Sequence, residues 1–354
     1  KLPDFPWDTL APFGARAREH AGGIIDLSQG TPVDATPAFI QEELKSAANS
    51  PGYPLTIGTP ELRSAMRTWA TKILGASGEF DVLPTIGSKE LVAWLPSILQ
   101  AKTVLYPKVA YPTYLVGSMI NESESIAVDI DAKTWPKSDL AWINSPSNPT
   151  GRVHSESELE AVIAYARTHN SIVASDECYI NFPATGPKPI SILKLAAGNN
   201  KNLLAVLSMS KRSNLAGYRA GLIVGDPELI AEIREVRKHA GMLVPLPIQR
   251  AMTAALGEEE HVSTQAKRYA NRREVLSSAL IAAGFQIDFS NAGLYIWCTR
   301  SEDCWNSVSW LADIGILATP GIFYGEAGAQ HIRIAMTATD SQIEEAASRI
   351  MKSL

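Results

Sequence analysis

The chain has 354 residues, of which 45% are hydrophobic and 19% charged, a balance that is ordinary for a soluble globular protein. Its formal net charge of −5 argues against nucleic acid or an anionic membrane surface as a partner. No apolar run approaches the roughly 20 residues that a membrane-spanning helix needs. The three cysteines form no CxxC pair, so we expect no disulfide framework, no metal site and a reducing, cytoplasmic compartment.

The first part of the chain predicts an α/β fold. Residues up to about 37 are rich in Pro, Gly and Trp and are expected to form an irregular arm. Apolar runs without polar alternation follow at 103–106, 140–144, 171–177 and 202–210, as is typical of strands buried on both faces. Between two of them, Ser155 and Glu158 form a capping box before an amphipathic helix. This order predicts a large domain with a mostly parallel sheet flanked by helices.

The pattern changes near residue 245, where the sequence VPLPIQ interrupts it. A long helix from about Glu258 to Ala283 is expected next, then the strand-like runs GLYIWC and HIRIAM, and a last helix beginning near Asp340. These elements predict a smaller α+β domain. We therefore predict a large domain over residues 38–245 and a small domain formed by 246–354 together with the N-terminal arm, 1–37.

The stretch SMSKRSNLAGYRAG, at 208–221, combines a lysine, hydroxyls and an arginine with small residues. Lys211 follows a predicted buried strand, and ligands of open α/β sheets bind outside the carboxyl ends of such strands. Desolvation there would lower the pKa of the lysine and make it a usable nucleophile. Taken alone, Lys211 is more simply explained as a solvated loop lysine. Ser208 and Arg219, which suit a phosphate, favour the nucleophile.

Polar and aromatic side chains also follow other predicted strands. Asp176 ends one strand and could bind a metal, act in acid–base chemistry or hold a protonated ring nitrogen, with Tyr179 nearby. None of the six scattered histidines pairs with this segment, so a metal is the weakest of these readings. Asn148 lies in a tight turn and could bind a ligand oxygen, or the turn could be purely structural. Tyr111 or Tyr114 could stack on a planar ring or could be core aromatics.

Two further segments carry possible anion sites. Gly87, Ser88 and Lys89 open an apolar helix, and their N–H groups could hold an anion, although many helices begin this way. Neither GxGxxG nor GxxxxGK[ST] occurs, which weakens nicotinamide and nucleotide binding. Arg333 stands between apolar residues of a strand-like run. Because arginine is rarely buried unpaired, it has either a buried acidic partner or a ligand carboxylate.

Together these segments resemble the fold-type I pyridoxal-phosphate aminotransferases of classes I and II. The likeness spans nearly the whole chain and rests on motifs in the family's order. They are Tyr-x-x-x-x-Gly at 53–58, Gly-Ser at 87–88, an aromatic at 111, Asn-Pro-Thr-Gly at 148–151, Asp-x-x-Tyr at 176–179, Ser-x-x-Lys at 208–211 and arginines at 219 and 333. Within this family, the N-terminal arm, GYPLTIGTPELR and the lysine stretch look like those of N-succinyldiaminopimelate aminotransferases.

The resemblance implies a role for each candidate. Lys211 would form a Schiff base with pyridoxal phosphate and then move a substrate proton, while Asp176 keeps the pyridine nitrogen protonated. Tyr111 would stack on the ring, and Asn148 and Tyr179 would bind its phenolic oxygen. The implied phosphate-binding residues are Gly87, Ser88, Lys89, Ser208, Arg219 and, reaching into the other site of a homodimer, Tyr53. Arg333 would clamp the substrate α-carboxylate beside the backbone of Gly30.

The implied reaction is ping-pong transfer of an amino group between glutamate/2-oxoglutarate and N-succinyl-L,L-diaminopimelate/N-succinyl-2-amino-6-oxopimelate, as in lysine biosynthesis. Arg212, Lys89 and Arg16 could bind the distal carboxylates, but each could equally be a surface residue. The alternatives are an aspartate-, aromatic- or methionine-type aminotransferase, a C–S lyase or decarboxylase on the same fold, and a non-catalytic ligand sensor. We expect small-molecule substrates and no nucleic-acid or membrane partner.

Overall fold

The computed structural model describes Leu2 and residues 6–354. The α-helices, α1 to α13, are Ala11–Arg18, Ala38–Ser46, Pro60–Trp69, Gly87–Ile98, Thr113–Ile120, Glu156–His169, Ile192–Leu195, Met209–Arg212, Pro227–His239, Leu246–Leu256, Glu260–Ala282, Cys304–Asp313 and Asp340–Lys352. The strands, β1 to β13, are Ile25–Asp26, Asp81–Ile86, Thr103–Pro107, Glu124–Val128, Leu140–Asn144, Ile172–Asp176, Leu203–Ser208, Ala220–Gly225, Gln286–Ile287, Tyr295–Thr299, Ile316–Leu317, Thr319–Pro320 and His331–Ala335. The structure also contains short 3-10 helices at Pro6–Leu10 and Gly321–Tyr324.

The largest sheet has seven strands in the order β2-β8-β7-β6-β5-β3-β4. The five strands from β7 to β4 run parallel, and β8 is antiparallel to both of its neighbours. This confirms the predicted class, a mostly parallel sheet with helices against it. Parallel order brings the carboxyl ends of β5, β6 and β7 to one edge of the sheet.

The apolar runs lack polar alternation because both faces of this sheet are covered. In β5, Ala141 and Ile143 belong to one hydrophobic cluster, which includes Leu159 of α6. Leu140 and Trp142, their neighbours in the strand, belong to a second cluster on the other side. Successive side chains of a strand point to opposite faces, so both sets must be apolar.

The capping box predicted before α6 is present. The hydroxyl of Ser155 accepts from the backbone N–H of Glu158 at 3.2 Å, and the Glu158 carboxylate accepts from the N–H of Ser155 at 2.8 Å. Two otherwise unpaired groups of the helix terminus are thereby satisfied, which sets where α6 begins after the Asn148 turn.

A second, antiparallel sheet has the order β12-β13-β10-β9, and β1 of the arm pairs with β11. The guanidinium of Arg349 in α13 donates to the carbonyls of Gly22 and Gly23 at 2.8 and 2.7 Å, so the arm is fixed to the C-terminal elements. Helix α10, just beyond residue 245, packs into the cluster of the large sheet. The proposed domain division stays a prediction. Within the described part of the chain, no helix is both long and apolar enough to cross a membrane.

Candidate active site

A cavity of about 710 Å3 opens where three parallel strands end. Asn144, Asp176 and Ser208, the last residues of β5, β6 and β7, all line it. The cavity wall also includes most of the residues singled out in the sequence. They are Gly30, Ser88, Lys89, Tyr111, Asn148, Tyr179, Lys211, Arg219 and Arg333.

Lys211 points into this cavity rather than into solvent. Ser208 ends β7 and caps α8 by accepting from the N–H of Ser210 at 3.1 Å, which begins the single turn that carries the lysine. The ammonium group donates a short hydrogen bond to the carbonyl of Gly30. Burial lowers the pKa of Lys211; Tyr295 and Cys178 oppose this, and the charges of Arg333 and Arg219 add to it, so that the pKa stays below its usual value. The arrangement therefore favours the nucleophilic amine over the solvated lysine.

Asp176 is buried at the floor of the cavity, with one oxygen accepting from the Tyr114 hydroxyl at 2.8 Å and the other from the Cys178 N–H at 3.2 Å. Burial raises the pKa of Asp176, and these hydrogen bonds oppose that rise. A cationic N–H ligand would compensate the buried carboxylate. Among Leu2 and residues 6–354 the structure shows no cluster of three or more His, Cys, Asp and Glu side chains placed to hold a metal ion.

The two aromatic candidates have different surroundings. Tyr114 is fully buried, stacks on Trp142 with ring centroids 5.0 Å apart, and uses its hydroxyl on Asp176. Tyr111 lines the cavity and meets Tyr114 edge-on at 5.9 Å. Tyr111 is thus the ring that a planar ligand can reach, while Tyr114 supports the carboxylate. The sequence did not identify the second role, although the three-residue spacing of the two tyrosines was visible.

An anion site is formed where α4 begins. Gly87 has φ +70°, and a Cβ there would overlap the guanidinium of Arg219, lying 3.0 Å from its Cζ. Arg219 therefore crosses directly over the helix N-terminus, with Nη1 fixed to the carbonyl of Ala216 at 2.7 Å. Ser88 in the first turn of the helix faces the cavity. A guanidinium beside the N-terminus of a twelve-residue helix suits a phosphate.

Arg333 is buried, 3% exposed, without a carboxylate partner in the described residues. Its Nη atoms donate to Asn148 Oδ1 at 2.8 Å and to the carbonyl of Ser28 at 2.6 Å, and Nε has no partner. The guanidinium lies 4.0 Å from the ring centre of Tyr295 and 5.0 Å from that of Tyr324. Of the two alternatives that the sequence left open for Arg333, the described residues provide no acidic partner, which favours a ligand carboxylate.

Tyr295 is a site residue that the sequence reading missed. Its hydroxyl lies 3.1 Å from that of Tyr179, and its backbone carbonyl accepts from the buried guanidinium of Arg273 at 3.0 Å. A Cβ on Gly30 would overlap the Tyr295 hydroxyl and lie 2.9 Å from Cζ. The ring therefore fills the space between the arm, Tyr179 and Arg333. Its only sequence signal was an aromatic residue in the run GLYIWC.

Three residues considered from the sequence lie elsewhere. Tyr53 does not line the cavity and is 97% exposed. Arg212 is buried behind Lys211, paired with Glu259, and Arg16 pairs with Asp313 at 3.2 Å. Of the three candidates for distal carboxylates, only Lys89 lines the cavity.

The donor set fits pyridoxal phosphate: an amine, a buried carboxylate, an aromatic wall and a phosphate cradle surround one cavity. Residues 23–350 match the family Aminotransferase class I and II. The chain is 48% identical to 4-dedimethylamino-4-oxo-anhydrotetracycline transaminase OxyQ of Streptomyces rimosus, over 99% of each chain. It is 49% identical to a probable aminotransferase of Mycobacterium tuberculosis, over 99% of this chain and 85% of that one. A probable N-succinyldiaminopimelate aminotransferase from Thermus thermophilus superimposes with TM-score 0.89 at 26% identity, covering 99% of this chain and 100% of the other. The chain therefore belongs to the class I and II aminotransferases, which depend on pyridoxal phosphate.

Proposed function

We propose that this aminotransferase holds pyridoxal phosphate on Lys211 and transfers an amino group in two half-reactions, with glutamate as the donor. The observation that carries the proposal is the cavity in which Lys211, with a lowered pKa, faces both the buried Asp176 and the uncompensated Arg333. When bound, the cofactor supplies an aldehyde that joins to amines and a ring that accepts electrons from the substrate's Cα.

Each wall of the cavity has a role in binding the cofactor. Asp176 would accept a hydrogen bond from the ring nitrogen, and the Tyr114 hydroxyl would hold that carboxylate in place. Tyr111 would pack on the ring, and Asn148 and Tyr179 would hold its phenolic oxygen. The phosphate would be bound by the following groups: Gly87, Ser88, Lys89, Ser208 and Arg219. These roles follow from position in the cavity, for Gly87 from its contact with Arg219 outside the cavity lining, and from the family resemblance.

Arg333 and Lys211 would control the substrate. Arg333 has an unpaired Nε and lies against Asn148, so it would bind the α-carboxylate and orient the Cα–H bond. Once the substrate amine has taken its place, the free Lys211 amine would remove the proton from the substrate Cα and transfer it to the cofactor. The carbonyl of Gly30 would keep the amine within reach.

We also propose a homodimer with shared sites, in which Tyr53 binds the phosphate in the opposite site. A tyrosine 97% exposed beside Leu55, itself 62% exposed, suits a surface that a second subunit covers. Mixing inactive Lys211→Ala subunits with weakened Tyr53→Ala subunits should restore activity, because one site of the mixed dimer is then intact. No recovery in confirmed mixed dimers would contradict the shared site.

The resemblance and the relatives point to different acceptors. The resemblance predicts N-succinyl-2-amino-6-oxopimelate, and one structural relative carries the corresponding name. The relative from S. rimosus is named for 4-dedimethylamino-4-oxo-anhydrotetracycline instead. Of the basic residues considered for the distal carboxylates, Arg212 and Arg16 are paired away from the cavity. The succinylated acceptor and a role in lysine biosynthesis therefore stay predictions. The three unpaired cysteines are compatible with the predicted cytoplasmic location.

The decisive test is a half-reaction with L-glutamate alone. The holoenzyme should convert its cofactor from the aldehyde to the amine form, followed by absorbance, and release one 2-oxoglutarate per site. Lys211→Ala is the matched control and should show neither change at the rate of the wild-type enzyme. Cofactor that stays in the aldehyde form with every amino acid would refute the transaminase proposal. Pyruvate and ammonia released from S-alkylcysteine, without amine-form cofactor, would identify the lyase alternative.

A further inference from the structure

A second cavity of about 440 Å3 adjoins the first. The two share four wall residues: Tyr111, Pro112, Leu115 and Phe323. The second cavity continues past them between the end of β3, β4 and the 3-10 helix Gly321–Tyr324. Nothing in the proposed cofactor or carboxylate binding uses this space, so a ligand anchored in the first cavity has room to extend into it.

The chemistry of this route is apolar and aromatic. Trp7 of the arm lies 5.4 Å from Phe323 and 6.2 Å from Tyr324, measured between ring centres. Tyr324 in turn packs on Arg333, so the aromatic wall begins beside the group that would hold the α-carboxylate. Leu115 and Val116 of α5 form the facing side of the first cavity. A tail leaving the Arg333 end would therefore run along rings and aliphatic groups.

The charges of the second cavity do not suit an anionic tail. Its charged wall residues are Lys108 and Glu326. The Lys108 ammonium is 2.6 Å from the carboxylate of Asp129, which would compete with a ligand anion for this lysine. Glu326 would repel a terminal carboxylate. An uncharged tail would not be repelled by Glu326 and would not compete with Asp129 for Lys108. It would also remove apolar wall area from water.

We propose that the second substrate of this enzyme is an amino acid or oxo acid with a large, uncharged, aromatic or alicyclic tail. The tail passes Tyr111 and Phe323 and occupies the second cavity. This inference rests on the proposed transaminase function and specifies the substrate class of the same site. Glutamate is short enough for the first cavity alone, so it does not require this extension.

The test compares half-reactions of two donor series with the holoenzyme. One series is L-phenylalanine, L-homophenylalanine and L-2-amino-5-phenylpentanoate; the other is L-2-aminoadipate and N-succinyl-L,L-diaminopimelate. The three phenyl donors differ only in chain length, so the longest places its ring deepest in the second cavity. Burying that ring there is expected to raise the rate at low donor concentration about 10- to 100-fold. The longest phenyl donor should therefore react fastest, and both anionic donors should react more slowly than it.

A blocking variant locates the effect. Ala327 is exposed and lines the second cavity but not the first, so Ala327→Trp should fill only the extension. We expect it to slow the longest phenyl donor at least tenfold while the rate with glutamate is unchanged. Ala127→Trp fills the same cavity from β4 and should act alike if the first variant folds poorly. Ala164→Trp, on the exposed face of α6, is the matched control and should alter neither rate.

The outcomes separate this inference from the proposed function. Faster reaction of the anionic donors, or blocking variants that leave the long phenyl donor unaffected, would overturn the inference while the glutamate half-reaction stands. Equal slowing of all donors together with dissociation of a dimer would show that a subunit occupies the second cavity, which also overturns it. Failure of every donor, glutamate included, would instead refute the transaminase function.

Discussion

Replacement of Gly30 by alanine tests how closely the arm packs against the catalytic residues. A Cβ at this position would overlap the hydroxyl of Tyr295 and lie 2.9 Å from its Cζ. The arm cannot easily retreat, because the carbonyl of Ser28 accepts from both Thr319 and Arg333, each at 2.6 Å. The Tyr295 ring must therefore move, and with it the contact to the Tyr179 hydroxyl.

The size of the effect follows from this displacement. Relieving the overlap requires a shift of about 1 Å, and misplacing groups of an active site by that much costs roughly 100-fold in rate. Tyr295→Phe alone removes one hydrogen bond of about 1 kcal/mol, which corresponds to about fivefold. Independent effects would multiply to about 500-fold in the double variant. Because Tyr295→Phe removes the atom that collides, we expect the double variant to lose clearly less than that product.

The assay is the rate of the glutamate half-reaction at low donor concentration, measured for both single variants and the double variant. Cofactor binding should persist in each, because Gly30 and Tyr295 lie away from the phosphate cradle of Gly87 and Arg219. Losses that simply multiply, or a Gly30→Ala enzyme with full activity, would refute the reasoning that Gly30 leaves room for the Tyr295 hydroxyl.

Three further changes test charges within the fold. Arg212→Ala should lower the free energy of unfolding by about 2 kcal/mol, because it removes a buried guanidinium that bonds Glu259 and the carbonyl of Ala255. Urea denaturation measures this loss, and the cofactor absorbance should be unchanged. Asp34 is partly buried, which would raise its pKa, but the hydrogen bonds of Arg272 and Gln265 outweigh this and lower the pKa. The contribution of Asp34 to stability is present above about pH 4 and is lost as the pH falls further. On acidification, the urea midpoint of Asp34→Asn should therefore fall less than that of the wild type. Burial raises the pKa of Glu177 to about 7, so the native state loses stability as the pH rises from about 4 to about 7. Glu177→Gln should therefore shrink the difference between the urea midpoints at pH 5 and pH 8. A difference equal to that of the wild type would contradict this.

Local patterns were enough to predict the framework. The alternating faces of β5 are both apolar, so the run LAWIN could be assigned to a buried strand, and the Ser155–Glu158 capping box is contained within four residues. The placement of Lys211 and Asp176 followed from the same argument, because residues that end parallel strands meet at one edge of a sheet. The roles of Asn148 and Arg333 came from the family resemblance.

Contacts between distant residues could not be predicted in this way. The Tyr114–Asp176 bond joins residues 62 positions apart, and the Tyr179–Tyr295 contact joins residues 116 apart. Neither pair has a local signature. Arg212 illustrates the same limit, because the single turn of α8 sends Lys211 into the cavity and the next side chain towards Glu259, 47 residues along the chain. Sequence adjacency to the nucleophile did not reveal that direction.

The most direct test of the central claim is to locate the cofactor on the chain. Holoenzyme reduced with borohydride and digested should yield one phosphopyridoxyl-modified peptide, and fragmentation by mass spectrometry should place the group on Lys211. The Lys211→Ala protein treated in the same way should carry no such peptide. Modification of another lysine in the folded wild-type enzyme, with Lys211 unmodified, would contradict the account.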